Sequence, residues 1–518
     1  MIPIIRNFLS VIRRFKTAVV LNILGLSVAF AAFIIIMIQL NYDYRFDKCH
    51  KDYDKIYRLE FTMFSETNAV IDRRMADHFF ESSPAIVAGA MIKFVPGGVV
   101  DYIGDINRRG FYKEQSLQVS PGFTDVFTFD FVEGDKDALK KPNHVIIPLS
   151  MARKLFGKES AIGQQLVGNS GGNQMIGAVY RDFPANTIVN NCIYSTIPKD
   201  EDFGQCYLVY FRVNQTLQTP QSMDDLIRNF DGKALYGDVW ETVGGSLRVT
   251  ALPDVHYTTD ALYDPTPKTS RQTLMILFVI AIVIVVVAAI NFTNFSTALT
   301  PMRIKNLNTQ RVLGARQNTL RFTLVFEAIV ICFLSYLVAL WFVLLFHNSP
   351  LSKLTEADLS FSAQGSIYGG TAMVALVTGL LAGAYPSRFM TSFAPALVLK
   401  GNFGLSPKGK QLRNTLIGIQ FVSSFVLIIG ASFMYLQNHL MQHSSLGYDK
   451  DALITVDIGQ IKKTIVTCLP IKSRHIQGLR TLPIVNIFCR VPTRMICFHT
   501  HTMRKVHGFR LFLCTTLF

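Results

Sequence analysis

The sequence predicts an α-helical multi-pass membrane protein with a large α+β extracytoplasmic domain inserted between spans one and two. Three observations support this fold class. Half of the 518 residues are hydrophobic and only 17% are charged, whereas a soluble protein of this size usually carries more charge. Five apolar stretches have the length of a membrane-spanning helix. A long stretch with mixed helix and strand patterns, residues 40–272, separates the first of them from the second.

The five apolar stretches can each cross a bilayer, because a hydrocarbon core of about 30 Å requires roughly 20 residues of α-helix. Five such runs in one chain disfavour buried helices of a soluble core. The first resembles a signal peptide in its basic start and in Ala29 and Ala31, but its apolar run continues to Ile38 and is too long for one. We therefore expect an uncleaved anchor. The predicted spans are residues 17–39, 273–298, 322–346, 367–387 and 415–436.

Basic residues predict the orientation of the spans, since cytosolic loops of membrane proteins carry an excess of Lys and Arg. Three segments are rich in cations: residues 1–16, 299–321 and 388–414. Five spans place all three on the same side without adjustment. This predicts a protein of the cell inner (cytoplasmic) membrane with a cytosolic N-terminus. The extracytoplasmic parts are then residues 40–272, the loop 347–366 and residues 437–460.

The inserted segment carries alternating strand and helix patterns. "NHVIIPLS" leaves a turn as a strand, "SMARKLF" is typical of a short helix that ends at Gly157, and "NQMIGAVYRDFP" is a strand that stops at Pro184. "SLRVTALPDVHY" predicts a further strand. These elements together predict an α+β domain.

The sequence contains little that points to catalysis. His144 and His256 are lone histidines, for which a surface or structural role is the better interpretation. "GLSPKGKQ" nearly spells a phosphate-binding loop, but Gln411 stands where that motif requires Ser or Thr. We predict no enzyme, no cofactor, no metal site and no ATPase within this chain.

The net charge of +15 does not indicate nucleic-acid binding. Residues 461–518 contain ten Lys or Arg and no Asp or Glu, so the rest of the chain carries only +5. This tail is also rich in Cys and His, and "CFHTH" at Cys497–His501 lacks a fourth ligand at metal-binding spacing. An aberrant tail that follows a shift of reading frame is the interpretation we favour.

Two features of the predicted spans concern helix packing. Ala375, Gly379 and Gly383 lie four residues apart, a spacing of small residues that lets helices approach closely in lipid. Glu327 lies near the start of the third span, where a carboxylate is a functional candidate by default. Its position near the cytosolic end favours a structural role, in a pair with Arg321 or Arg316.

The chain also contains a partial internal repeat. A basic segment, a span and "YDKIYRLEF" near the N-terminus are matched by a basic segment, a span and "YDKDALITVDI" after residue 410. A second outer domain is therefore expected to begin at residues 437–460, and the repeat does not continue into the tail.

Several stretches resemble the ABC transporter permeases of the MacB/FtsX family, of the duplicated type. They include "IPLSMARKLFGKESAIGQQL", "RIKNLNTQRVLGARQNTLRFTLVFEAIV" and "GAYPSRFMTSFAPALVLKGNF". The resemblance covers residues 1 to about 458, which implies that the chain is truncated or frameshifted after that point.

The resemblance implies a separate cytosolic ABC ATPase subunit, a dimer of transmembrane subunits in the lipid bilayer and no nucleic-acid partner. It implies that ATP hydrolysis is relayed to the extracytoplasmic domain to export an unknown substrate. A non-transporting signalling permease and a membrane-anchored sensor are the alternatives. The coupling segment is 299–321, with Leu313 as the apolar anchor. Its predicted coupling residues are Arg303, Lys305, Arg311, Leu313, Gly314 and Arg316.

Overall fold

The structure is a computed structural model that describes residues 16–95, 99–105, 112–168, 172–198, 206–217, 219–298, 300–392 and 407–444. The described residues form two compact units. The helical unit contains residues up to 45 and from 270 to 443, and the inserted domain contains residues 46–269. The predicted tail, 461–518, and most of the predicted second outer domain lie outside the described residues.

The first helix of the helical unit is α1, Lys16–Tyr44. It continues past the predicted end of the first span through Asn41 and Asp43, because helical hydrogen bonding does not stop where the apolar run stops. The helix ends at Tyr44, and Asp47 in the turn that follows has a φ of 60°, a left-handed conformation in which the helix cannot continue.

The inserted domain alternates strands and short helices. Its first half contains β1 (Ile56–Met63), β2 (Glu66–Asn68), β3 (Val70–Asp72), α2 (Arg73–Glu81), β4 (Ile86–Lys93), β5 (Val99–Asp105), β6 (Tyr112–Val119), α3 (Phe123–Val126) and β7 (Phe131–Gly134). The second half contains β8 (His144–Pro148), α4 (Leu149–Phe156), β9 (Gln165–Gly168), β10 (Gly172–Tyr180), β11 (Ile193–Thr196), β12 (Cys206–Val213), α5 (Pro220–Arg228), α6 (Gly232–Tyr236), α7 (Asp238–Thr242), β13 (Ser246–Ala251), α8 (Leu252–Val255) and β14 (Ala261–Leu262).

These strands form one mixed sheet, which confirms the predicted α+β class. The strand order is β11-β8-β10-β9-β5-β6-β4-β12-β1-β2-β14, and β11 also pairs with β6, so that six of the strands close into a ring. The predicted strand over "SLRVTALPDVHY" ends at Ala251, because Pro253 cannot donate to a strand ladder and instead opens α8.

The core of the domain lies on both sides of β12. Its side chains alternate between two faces, as strand geometry requires, and both faces are apolar. One core receives Cys206, Leu208 and Tyr210, and the other receives Tyr207, Val209 and Phe211.

Buried contacts fix both ends of the inserted domain. Thr187 Oγ1 donates to Asp47 Oδ1 at 2.7 Å, and the amide of Ile188 donates to the same oxygen at 2.8 Å. His256 stacks on Phe46 with ring centroids 3.9 Å apart and lies 2.7 Å from the carbonyl oxygen of Pro267. His256 is therefore a buried structural residue that connects residues at the beginning and at the end of the inserted domain.

The remaining helices return to the helical unit. They are α9 (Arg271–Ala298), α10 (Thr300–Val312), α11 (Gln317–His347), α12 (Phe361–Thr391) and α13 (Pro407–His443). Each of the five predicted spans lies within one long apolar helix: α1, α9, α11, α12 or α13. The predicted start of a second outer domain at residue 437 falls inside α13, which continues to His443.

Candidate functional site

The segment between α9 and α11 forms a helix and a tight turn. On α10, Ile304 and Asn308 are buried and lie one helical turn apart. The helix ends in a Schellman motif: the amide of Ala315 donates to Gln310 O at 3.0 Å, and that of Gly314 donates to Arg311 O at 3.1 Å. Gly314 has a φ of 97°, a conformation that glycine adopts without strain.

The turn projects apolar side chains into solvent. Val312 is 62% exposed and Leu313 is 82% exposed, the highest value among the large exposed hydrophobic residues of the described chain. Arg316, also exposed, follows as the residue that caps the start of α11. We call residues 312–316 the tip.

An ion pair fixes the first half of α10 to the bundle. Arg303 Nη2 donates to Glu327 Oε1 at 2.7 Å, and the two side chains are only 12% and 11% exposed. The sequence-based prediction that Glu327 pairs with Arg321 or Arg316 was wrong. α10 folds back along the bundle, so it brings Arg303 to Glu327, whereas Arg316 points outward and Arg321 contacts Thr391.

The pair borders a small cavity of about 30 Å³. Polar side chains from three other helices also line it: Asn22 of α1, Ser296 of α9 and Ser387 of α12. A space of this size is sufficient for about one water molecule among polar partners.

The second half of α10 is connected to the end of α12. Three donors converge on Thr391, which is 4% exposed. Gln317 Nε2 and Arg311 Nη1 donate to its carbonyl oxygen at 2.7 and 3.3 Å, and Arg321 Nε donates to its hydroxyl at 2.9 Å. Carbonyl groups in the last turn of a helix lack intrahelical donors and attract cations, so this arrangement completes the C-terminus of α12.

A proline within α12 creates a further contact between helices. Pro386 has no N–H, so the carbonyl of Ala382, four residues earlier, loses its intrahelical donor. Thr293 Oγ1 of α9 lies 3.2 Å from this oxygen and shares its proton with Ala289 O at 2.9 Å.

Two of the small residues on α12 lie against α11. A Cβ atom added at Gly379 would lie 2.8 Å from Cα of Ile329, and one added at Gly383 would lie 2.6 Å from Cβ of Ala328. Ala375 is fully buried. A side chain larger than hydrogen at either glycine would therefore push the helices apart.

The predicted coupling residues divide into three groups. Leu313, Gly314 and Arg316 lie together at the tip. Arg303 and Arg311 instead point toward the bundle and make intramolecular contacts. The side chain of Lys305 lies outside what the structure describes.

The sequence-based predictions missed Thr391, Gln317 and Thr293. The sequence contains an indication only for Thr293, because Pro386 leaves the carbonyl of Ala382 in need of a donor from another residue. Within the described residues, no three His, Cys, Asp or Glu side chains are grouped as a metal site requires.

In the part of the chain that the structure describes, five long apolar helices and an inserted sheet domain define a multi-pass membrane protein. Residues 278–395 match the FtsX-like permease C-terminal family. This match confirms the predicted family resemblance for residues 278–395. The tip, the Arg303–Glu327 pair and Thr391 all lie inside the matched range.

Three solved structures are similar to parts of the chain. A domain assigned to a permease protein of Porphyromonas gingivalis has 19% identity and a TM-score of 0.33, and the match covers 42% of this chain and 95% of that one. The periplasmic region of MacB from Actinobacillus actinomycetemcomitans has 9% identity and a TM-score of 0.29, and the match covers 39% of this chain and 90% of that one. The extracellular domain of the noncanonic ABC-type transporter YknZ from Gram-positive bacteria has 14% identity and a TM-score of 0.27, and the match covers 38% of this chain and 99% of that one. No curated protein matches the chain.

Proposed function

We propose that this chain is the permease subunit of an ABC transporter and that it relays ATP hydrolysis by a separate cytosolic ATPase to its inserted domain. The tip is the observation that carries the proposal. It presents Leu313 at 82% exposure on a turn fixed by main-chain hydrogen bonds. An exposed apolar anchor on a rigid support is typical of a protein-docking site.

The charge around the tip specifies the kind of groove that would receive it. Arg316 is exposed beside Leu313, while Arg303 and Arg311 are occupied inside the bundle. The partner surface is therefore an apolar pocket with an acidic rim on one side, and Leu313 supplies most of the affinity. Arg316 contributes orientation and association rate, as rim charges do.

The inserted domain is the output of this relay. Both of its ends continue directly into long apolar helices, α1 and α9, so movement of the helical unit reaches it through the chain. Movement of this domain then drives export of a substrate outside the membrane. A signalling permease that regulates an envelope enzyme would use the same tip and the same relay.

The experiment compares two variants that introduce the same charge. Leu313→Glu places a carboxylate at the centre of the tip, and Asn318→Glu places one at an exposed position beyond it. Tagged chains are purified from membranes of their own host, and the proteins that accompany them are identified by mass spectrometry. An ABC ATPase should accompany the unmodified chain and Asn318→Glu, and should be at least tenfold depleted with Leu313→Glu.

Two outcomes would contradict the proposal. Equal recovery of the ATPase with both variants would remove the docking role of the tip. Absence of any ATPase from the unmodified preparation would favour the membrane-anchored sensor. Reporter fusions after Ser360 and Gly404 test the orientation, because the first position is expected outside the cytosol and the second inside it.

A further inference from the structure

The two residues that flank the tip donate to the same oxygen atom. Arg311 precedes the tip and Gln317 follows it, and their side chains meet at the carbonyl oxygen of Thr391 at 3.3 and 2.7 Å. The tip is thus a loop whose base is closed by the end of another helix. Because both sides of the base bind one atom, the tip cannot shift sideways without either breaking these hydrogen bonds or moving Thr391.

The acceptor belongs to the last residue of α12, and a third donor strengthens the attachment. Arg321 Nε, one helical turn after Gln317, donates to the Thr391 hydroxyl at 2.9 Å. That hydroxyl lies 2.9 Å from Ser387 O in the preceding turn of α12. The contacts therefore extend from the tip base into the helix itself, and they are largely shielded from water because Thr391 is 4% exposed.

The tip itself is stiff enough to transmit a push. The Schellman hydrogen bonds fix its backbone, and the Arg303–Glu327 pair holds the opposite end of α10 against α11. α10 is therefore anchored at both ends, and the attachment nearer the exposed anchor is the one at Thr391.

We propose that the Thr391 carbonyl is a joint that carries displacement of the tip into the C-terminal end of α12. The joint rests on the proposed function, in that the partner on the tip supplies the displacement. Arg311, Gln317 and Arg321 are positioning residues in this arrangement: they contact α12 and leave the docking surface free. Docking and transmission are consequently separable by mutation.

The separation can be measured on the full chain in nanodiscs by amide hydrogen exchange. Gln317→Leu combined with Arg311→Met removes both donors to the carbonyl while retaining similar side-chain length. Peptides from the end of α12, residues 385–392, should exchange at least fivefold faster in this double variant. Arg316→Ala is the matched control, since Arg316 is adjacent and exposed, and it should leave exchange unchanged. Unchanged exchange at residues 385–392 in the double variant would overturn the joint.

The transmission step is tested with the ATPase that accompanies the chain from its own membranes. The double variant should retain that ATPase within twofold of the unmodified chain but lose the ATP-dependent change in exchange at residues 385–392. Thr391→Val should lose part of the ATP-dependent change in exchange. Thr391→Ser keeps the hydroxyl and should retain the whole of that change. An ATP-dependent change that persists in the double variant would overturn the joint. Failure to recover any ATPase contradicts the proposed function instead, and the nanodisc comparison then decides the joint alone.

Discussion

Arg303 and Glu327 form an ion pair at 2.7 Å between α10 and α11, with both side chains close to nine-tenths buried. Charged residues in a helical membrane unit are costly unless they are paired. The pair is therefore a strong constraint on where α10 can lie, although it is weak evidence for net stability, because desolvation offsets much of the attraction between the charges.

Removing one partner of this pair should lower the free energy of unfolding much more than removing both partners. Glu327→Leu removes the carboxylate that lies against the buried Arg303 guanidinium, and we expect a loss of about 3 kcal/mol in the free energy of unfolding. Arg303→Met combined with Glu327→Leu should recover most of that loss. The measurement is reversible unfolding in mixed micelles. Additive effects of the two substitutions would show that the pair is not a coupled unit.

Close packing of α11 and α12 should depend on two glycines. Gly379→Ala adds a Cβ at 2.8 Å from the backbone of Ile329, which cannot move as a side chain can, so we expect a loss of about 1–3 kcal/mol. Gly369→Ala in the same helix is the control, because an added Cβ there meets nothing within 4 Å. Equal midpoints of unfolding for the two variants would argue against tight packing at Gly379.

The carbonyl that Pro386 leaves without an intrahelical donor gives a compensating pair of substitutions. Thr293→Val removes the hydroxyl that reaches Ala382 O, and we expect a loss of about 1 kcal/mol, as for other hydrogen bonds between membrane helices. Pro386→Ala supplies an amide that can donate to the same oxygen. Thr293→Val should therefore cost less when combined with Pro386→Ala, and a double-mutant cycle measures the difference.

The sequence predicted the helices but not their partners. A long apolar run is visible in the linear sequence without any knowledge of the fold. The positions of α1, α9, α11, α12 and α13 could therefore be predicted from local composition alone. Glu327 was assigned to its neighbours Arg321 and Arg316 because nearby residues are the default expectation on a helix. Its partner Arg303 is reached only because the turn at Gly314 folds α10 back along the bundle.

Thr391 was not predictable for a related reason. Its main-chain carbonyl carries no residue-specific signal, and the donors Arg311 and Gln317 look like ordinary cytosolic-loop residues in the sequence. The prediction that Arg311 lies at a docking surface rested on its charge and on the family resemblance of its segment. The structure adds the direction of the side chain, which is set by where α12 ends.

Two buried titratable groups at the start of the inserted domain should have opposite effects on stability. Burial raises the pKa of Asp47 from 3.8 to about 7, and burial lowers the pKa of His50 from 6.5 to about 4. The Asp47 contribution to stability is complete below pH 3.8 and is lost as the pH rises toward 7, because the folded state then holds a proton that the unfolded state releases. The His50 contribution rises from pH 4 to 6.5, because the unfolded state binds the additional proton.

Between pH 4 and 6.5 the two contributions therefore largely cancel, and Asp47→Asn should expose the His50 dependence alone. The introduced amide would retain an oxygen for Thr187 and Ile188, so the fold should be preserved. With one pKa unit worth about 1.4 kcal/mol, unfolding free energy in Asp47→Asn should rise by on the order of 3 kcal/mol across this range. The measurement is denaturant unfolding of the full chain, followed by a probe in the inserted domain at several pH values. Profiles that rise equally for Asp47→Asn and the unmodified chain would show that Asp47 does not retain its proton in the folded domain. A flat profile for Asp47→Asn would show that burial does not lower the pKa of His50.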